Sequence, residues 1–249
     1  MLPVRPPKRP LPTSQRLAWR QGFLTALQWI RPSKPSGLTP EGLSPGNKKI
    51  GYSGRLYRSV FVWNLPAVAS CPGASEWCLT HCYNADSRTD VFPVADWEDN
   101  WSWFIHKPQE LKAKIIEQLS TAGRPTAVRI HSSGDFYSAS YILFWIDIVH
   151  QSQDVRFWAY TRSWIIPELL PYLELLRAEP NFELFASWDS TMSPPPNGWR
   201  LSLVEDKAED FIKESQDLLC PEQIGQVPNC ASCGFCIEQR SGNVLFLLH

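Results

Sequence analysis

The stretch Ala127-Val128-Arg129-Ile130-His131-Ser132-Ser133-Gly134-Asp135-Phe136-Tyr137 reads as a short apolar strand that runs into a polar, glycine-containing turn. A helix follows from about Ser140 to His150, with Tyr141, Phe144, Trp145, Ile148 and Val149 spaced for one buried face. A strand, a short turn and a helix form half of a parallel β/α unit, and the same half-unit recurs on both sides of this one. Val60 to Trp63 is a strand, and Gln109 to Ser120, placed after Pro108, is a helix. Val155 to Tyr160 leads to a helix over Pro167 to Arg177. Glu183 to Ser187 and Leu201 to Val204 are two more strands, the latter followed by a helix from about Asp206 to Leu219. Val244 to Leu248 is a closing strand.

Such alternation with short connections implies an α/β fold with a parallel sheet covered by helices. Five or six units are too few for a full eight-fold barrel. They suit a partial, six-stranded β/α barrel, an open parallel sheet or a doubly wound one. In each of these, chemistry gathers at the carboxyl ends of the strands.

The chain divides into three parts. Residues 1–50 form a proline-rich extension, punctuated from Pro3 to Pro45, with one possible helix over Gln15 to Ile30. Residues 51–215 are the β/α core, and 216–249 are a cysteine-rich, metal-binding appendage with the closing strand. The formal net charge is −1, so no global basic field points to nucleic acid. Arg5, Lys8, Arg9, Arg16 and Arg20 are a local basic excess in a segment that reads as a solvated tail. No apolar run reaches the length of a membrane span, and Met1 to Arg9 lacks the apolar stretch of a secretory signal. The expected compartment is the cytoplasm, where thiols stay reduced and free to bind metal. The twelve tryptophans are scattered, as core and cavity walls would be.

All seven cysteines fall into two groups. Cys71, Cys78 and Cys82 follow the first strand as C-x6-C-x3-C. Cys220, Cys230, Cys233 and Cys236 form C-x9-C-x2-C-x2-C. Cysteines used as small hydrophobes would be scattered through the core instead. Four thiolates complete a closed site for structural zinc or a fully ligated cluster, whereas three leave one iron of a [4Fe–4S] cluster open to an exogenous ligand. His81 offers a fourth ligand to the first group, which would then be a closed zinc site.

Cys71-Pro72-Gly73-Ala74, Cys78 to Cys82-Tyr83, Val128 to Tyr137, Phe157 to Ser163 and the terminal cysteines together resemble the phage and plasmid "gene product 88" family, over roughly residues 58 to 240. Their layout is similar to that of the radical S-adenosylmethionine (SAM) enzymes, although the usual loop there is C-x3-C-x2-C. That resemblance implies a [4Fe–4S] cluster on Cys71, Cys78 and Cys82, and an auxiliary cluster, or zinc, on Cys220, Cys230, Cys233 and Cys236. It further implies SAM on the open iron, an electron donor such as a flavodoxin or ferredoxin, and a 5′-deoxyadenosyl radical directed at a substrate. Ser133, Gly134 and Asp135 would meet the SAM amino group, and Arg162, Ser187, Asp189 and Glu205 its other polar groups. His131, Asp135 and Arg162 are the catalytic candidates. A different class of function is also open: a non-catalytic, zinc- or iron–sulfur-stabilised module of a mobile element that binds nucleic acid or a host protein. Asp135 has a plainer reading as the cap of the next helix, and His131 as a satisfied core histidine.

Overall fold

The computed structural model of the chain describes residues 32–82, 84, 94–205, 217–238 and 241–248. The expected helix over Gln15 to Ile30 and Tyr83 lie outside these residues, as does most of the helix expected from Asp206.

Eight strands form one sheet: β1 (Ser44–Pro45), β2 (Ser59–Trp63), β3 (Thr126–Ile130), β4 (Val155–Thr161), β5 (Phe182–Trp188), β6 (Arg200–Glu205), β7 (Leu218–Leu219) and β8 (Val244–Leu247). Their order is β1-β2-β3-β4-β5-β6-β8-β7, and only the β1–β2 pair is antiparallel. From β2 to β6 each strand lies beside its predecessor, so the order does not reverse within these five strands as it does at the centre of a doubly wound sheet. The expected parallel sheet is present in open form, with β1 and β7 at its edges.

The described helices are α1 (Glu76–Thr80), α2 (Val94–His106), α3 (Pro108–Thr121), α4 (Ala139–Gln151), α5 (Leu170–Arg177) and α6 (Cys230–Cys233). The strands alternate, and the two alternate sets of side chains enter different cores. Trp63, Val128, Ile130, Phe157, Ala159, Leu184 and Ala186 pack against α2, α3, α4 and α5. Val60, Val62, Ala127 and Trp158 face the other way, onto Ile50, Tyr57, Ala231 and Ile237. One face of the sheet therefore carries the helical layer, and the second is covered by loop 46–58 and the cysteine-rich segment.

Two expectations are corrected, and one helix is added to them. Leu218–Leu219, expected as the end of a helix, are a strand that pairs in parallel with Val244 and Leu245. The helix expected from Pro167 begins at Leu170, because a 3-10 turn over Ser163–Ile165 and the loop after it occupy the preceding residues. Helix α2 was not foreseen. It buries Trp97, Trp101 and Phe104 at helical spacing and ends just before Pro108.

Candidate functional site

Cys71, Cys78 and Cys82 lie on the connection that leaves the carboxyl end of β2. Three features fix this connection against the neighbouring strand ends. Gly73 lies flat on the backbone beyond β4, where an added Cβ would stand 2.2 Å from the Arg162 carbonyl oxygen. Ser75 caps α1 by accepting the Cys78 backbone N–H at 3.0 Å, and its hydroxyl donates to Asp189 at 2.7 Å. Ser70 accepts the Asp135 backbone N–H through its carbonyl, at 3.1 Å. The cysteine loop is thus tied to the ends of β3, β4 and β5 together.

Arg162 and Asp189 form a buried ion pair beneath this loop. The guanidinium also touches Met192 Sδ at 2.8 Å. Asp189 accepts further bonds from Ser75 and from both the backbone and the hydroxyl of Thr191. Burial alone would raise the Asp189 carboxyl, but these bonds and the Arg162 charge outweigh it and hold it below the usual range. Burial pushes the Cys78 thiol up to about 11, and the Arg162 charge opposes that rise. Cys71 is raised by burial and by the nearby Asp135, Cys82 and Cys78. The charge of Cys82 thus reaches both Cys71 and Cys78. Among the described residues, however, no three His, Cys, Asp or Glu side chains are drawn together at metal-ligating separation.

Asp135 is buried, and its carboxylate is taken up by the protein itself. It accepts from Phe136 N–H at 2.7 Å, Thr161 Oγ1 at 2.6 Å and Arg162 N–H at 2.8 Å. Burial raises its pKa, and these bonds pull the other way. The residue ties the end of β3 to the end of β4 and thereby sets the backbone from which Arg162 projects. Asp135→Asn must turn an amide N–H₂ toward one of these donors. It should cost about 1–3 kcal/mol, read as a lowered urea midpoint. Gly134 beside it lies against Leu65 and Ser70. The Ser133 and Ser132 backbone N–H groups both donate to Asn64 Oδ1, at 3.0 and 2.7 Å.

His131 is buried, with a positive φ of 67° that few non-glycine residues adopt. Its Nε2 lies 2.9 Å from the Tyr141 hydroxyl, which accepts from Trp63 Nε1 at 2.7 Å. Burial, helped by the charge of Arg129, pushes the imidazole down to about 3. Burial thus favours the neutral ring, but its buried Nδ1 has no hydrogen-bond partner among the described residues, so the histidine is only half satisfied. His81 is exposed and stacked on Trp77, with Nδ1 2.9 Å from the Trp77 carbonyl. Ser187 lies on the second face of the sheet, and its carbonyl accepts from Trp164 Nε1. Glu205 is the last residue of β6.

Cys220, Cys230, Cys233 and Cys236 line one small cavity on the second face, beside Arg129 and Tyr160. The structure therefore separates the two cysteine groups: three above the strand ends with Arg162, Asp189 and Asp135, and four across the sheet. Ser75, Asn64, Thr161 and Tyr160 were missed by sequence reasoning. Of these, Ser75 carries the clearest signal, a serine immediately before a short helix.

The gene product 88 family model matches residues 39–239, which include all seven cysteines. The chain belongs to the gene product 88 family. Relatives in this family include the gene 88 protein of Mycobacterium phage L5, 29% identical over a 204-residue alignment that covers 71% of this chain and 81% of the relative. The gene 88 protein of Mycobacterium phage D29 is 28% identical over 205 residues, again 71% and 81% of the two chains. No solved structure matches the chain. Among the described residues, no helix is long and apolar enough to cross a membrane.

Proposed function

We propose that this gene product 88 protein is an iron–sulfur enzyme of radical SAM type, with its reaction centre at Cys71, Cys78 and Cys82. The observation that carries this reading is the placement of three thiols and a buried arginine above the carboxyl ends of consecutive parallel strands. That edge is where parallel α/β folds bind ligands. Three thiols fit a four-iron cluster with one open corner, since each takes one iron. When bound, cluster and SAM would supply an electron and a 5′-deoxyadenosyl radical for modification of a substrate.

The protein's own residues would hold and orient. Ser75 fixes the turn that carries Cys78. Arg162 offsets thiolate charge beside Cys78, and Asp189 keeps that guanidinium in place. Asp135 sets the Arg162 backbone and is a positioning residue, because its oxygens are already occupied by protein donors. The Trp77 and His81 rings stack on each other at α1, beside the cysteines.

The test is anaerobic reconstitution of the full chain. About four iron and four sulfide should be bound through the first cysteine group. SAM added to the reduced protein should change its electron paramagnetic resonance signal, and a low-potential reductant should release 5′-deoxyadenosine slowly. A chain that holds zinc and no labile sulfide, with no response to SAM, would instead be the metal-stabilised binding module of a mobile element.

A further inference from the structure

Residues 217–238 have little regular structure of their own, only the two residues of β7 and the four of α6. They nevertheless cover the face of the sheet that the helical layer leaves bare. Ala231 and Ile237 are buried against Val60, Val62, Ala127 and Trp158, and Cys220 packs with Phe185 and Val244. The cover docks on the loop before β2 through its backbone. Cys230 N–H donates to the Lys49 carbonyl at 3.0 Å, Ala231 N–H to that of Ile50 at 3.0 Å, and Leu56 N–H to that of Ala231 at 3.2 Å. At Gly54 an added Cβ would stand 2.6 Å from the Ala231 carbonyl carbon, so a side chain there would push the cover away.

Packing and these few backbone bonds dock the segment, and a cross-link or a metal would hold its loops more firmly. All seven cysteines are free thiols, so no disulfide supplies the link. The four cysteines of this segment come from both of its ends and line one cavity, so a metal would have to draw them the rest of the way together. The sheet offers that cavity what thiolates need. Arg129 of β3 lies over the ring of Tyr160 of β4, 5.1 Å from its centroid. Tyr160 packs beside Cys236 at the wall of this cavity, and the charges of Arg129 and Lys49 act on Cys230. A hydroxyl donor and cations behind sulfur ligands are the outer partners that orient a metal site and balance its charge.

We propose that Cys220, Cys230, Cys233 and Cys236 close on one thiophilic metal centre, a zinc ion or a four-iron cluster, which clasps segment 217–238 over the second face of the sheet. Both centres use four thiolates, and both release the protons of the thiols on binding. The clasp does not depend on the reaction proposed for the first group, which lies at the strand ends and uses other cysteines.

The experiment uses the full chain with Cys71, Cys78 and Cys82 all replaced by serine, so that bound metal reports on the second group alone. About one zinc, or about four iron with matching sulfide, should remain after purification, and the analysis says which centre it is. Chelation should raise hydrogen exchange in 217–238 and in loop 49–56 while α4 stays protected. Tyr160→Phe in the same background should weaken metal retention about ten- to a hundred-fold. If neither zinc nor iron is retained, or if chelation leaves exchange of the cover unchanged, the clasp is overturned. Should the triple variant not fold, the wild-type chain and Cys233→Ser are compared instead, and equal metal content in the two overturns it. Failure of the first site alone would leave every one of these readings intact.

Discussion

On the proposed function, replacing Cys78 with serine should abolish iron binding by the first cysteine group and bring SAM cleavage down to the uncatalysed background, while the urea midpoint moves little. The separation of the two effects follows from how Cys78 is held. Its backbone N–H is fixed by Ser75, which serine at position 78 leaves in place. The side chain is only half-buried on a five-residue helix that has no fully buried residue. Exchanging sulfur for oxygen there empties no core cavity, so the usual source of large destabilisation is absent. The thiolate, by contrast, has no substitute. Two remaining cysteines cannot retain a cluster that needs three protein ligands, and exposed His81 already bonds the Trp77 carbonyl. The paired control is Cys233→Ser, which should loosen the second face, because a closed metal site contributes folding free energy directly. A Cys78→Ser chain that keeps both its iron and its 5′-deoxyadenosine release would end the reading of the first group as a reaction centre. So would equal global unfolding in the two variants.

The frame of the fold was legible because strand and helix periodicity changes sharply along this chain. The apolar runs at Val60, Ala127, Val155 and Glu183 each became a strand of the parallel core, longer by one or two residues. From there the strand-end rule placed Asp135, Arg162 and Asp189 at one edge, where the structure puts them beside the first cysteines. The assignment of partners was not legible. Asp135 reads as a ligand group or a cap from its turn alone. Only the approach of Thr161 and Arg162, 26 and 27 residues further on, takes up its oxygens. Nor does the sequence say which cysteines face which side of the sheet. Cys220 follows a strand pair that no alternation announces, since β7 is two residues long and owes its form to β8. Arg129 and Tyr160 read as ordinary strand residues. Their role against Cys230 and Cys236 comes from register, because Arg129 stands opposite Trp158 and so shares a face with its neighbour Tyr160.

The second large effect belongs to Asp189. Asp189→Ala should lower stability by about 3–5 kcal/mol, because it leaves the Arg162 guanidinium buried without its carboxylate. The loss extends beyond the pair. Ser75 and Thr191 lose their acceptor, and Ser75 is the residue that caps the turn holding Cys78. Metal binding by the first group should therefore weaken in this variant even where the chain stays folded. The pH dependence carries a definite sign. The carboxyl of Asp189 is held below its usual range in the folded chain, so its contribution is complete above the unfolded-state value of about 3.9. It is lost as pH falls through the folded value. Wild type should accordingly lose stability below about pH 4, and Asp189→Asn should flatten that part of the profile. A double variant, Arg162→Met with Asp189→Leu, removes both charges and should recover much of the stability lost by Asp189→Ala, since an apolar pair of similar size carries no desolvation penalty. Urea titrations of the three variants from pH 3 to 7 decide the matter. An Asp189→Ala midpoint within experimental error of wild type would show that Arg162 finds another partner, and that Cys78 is positioned without this pair.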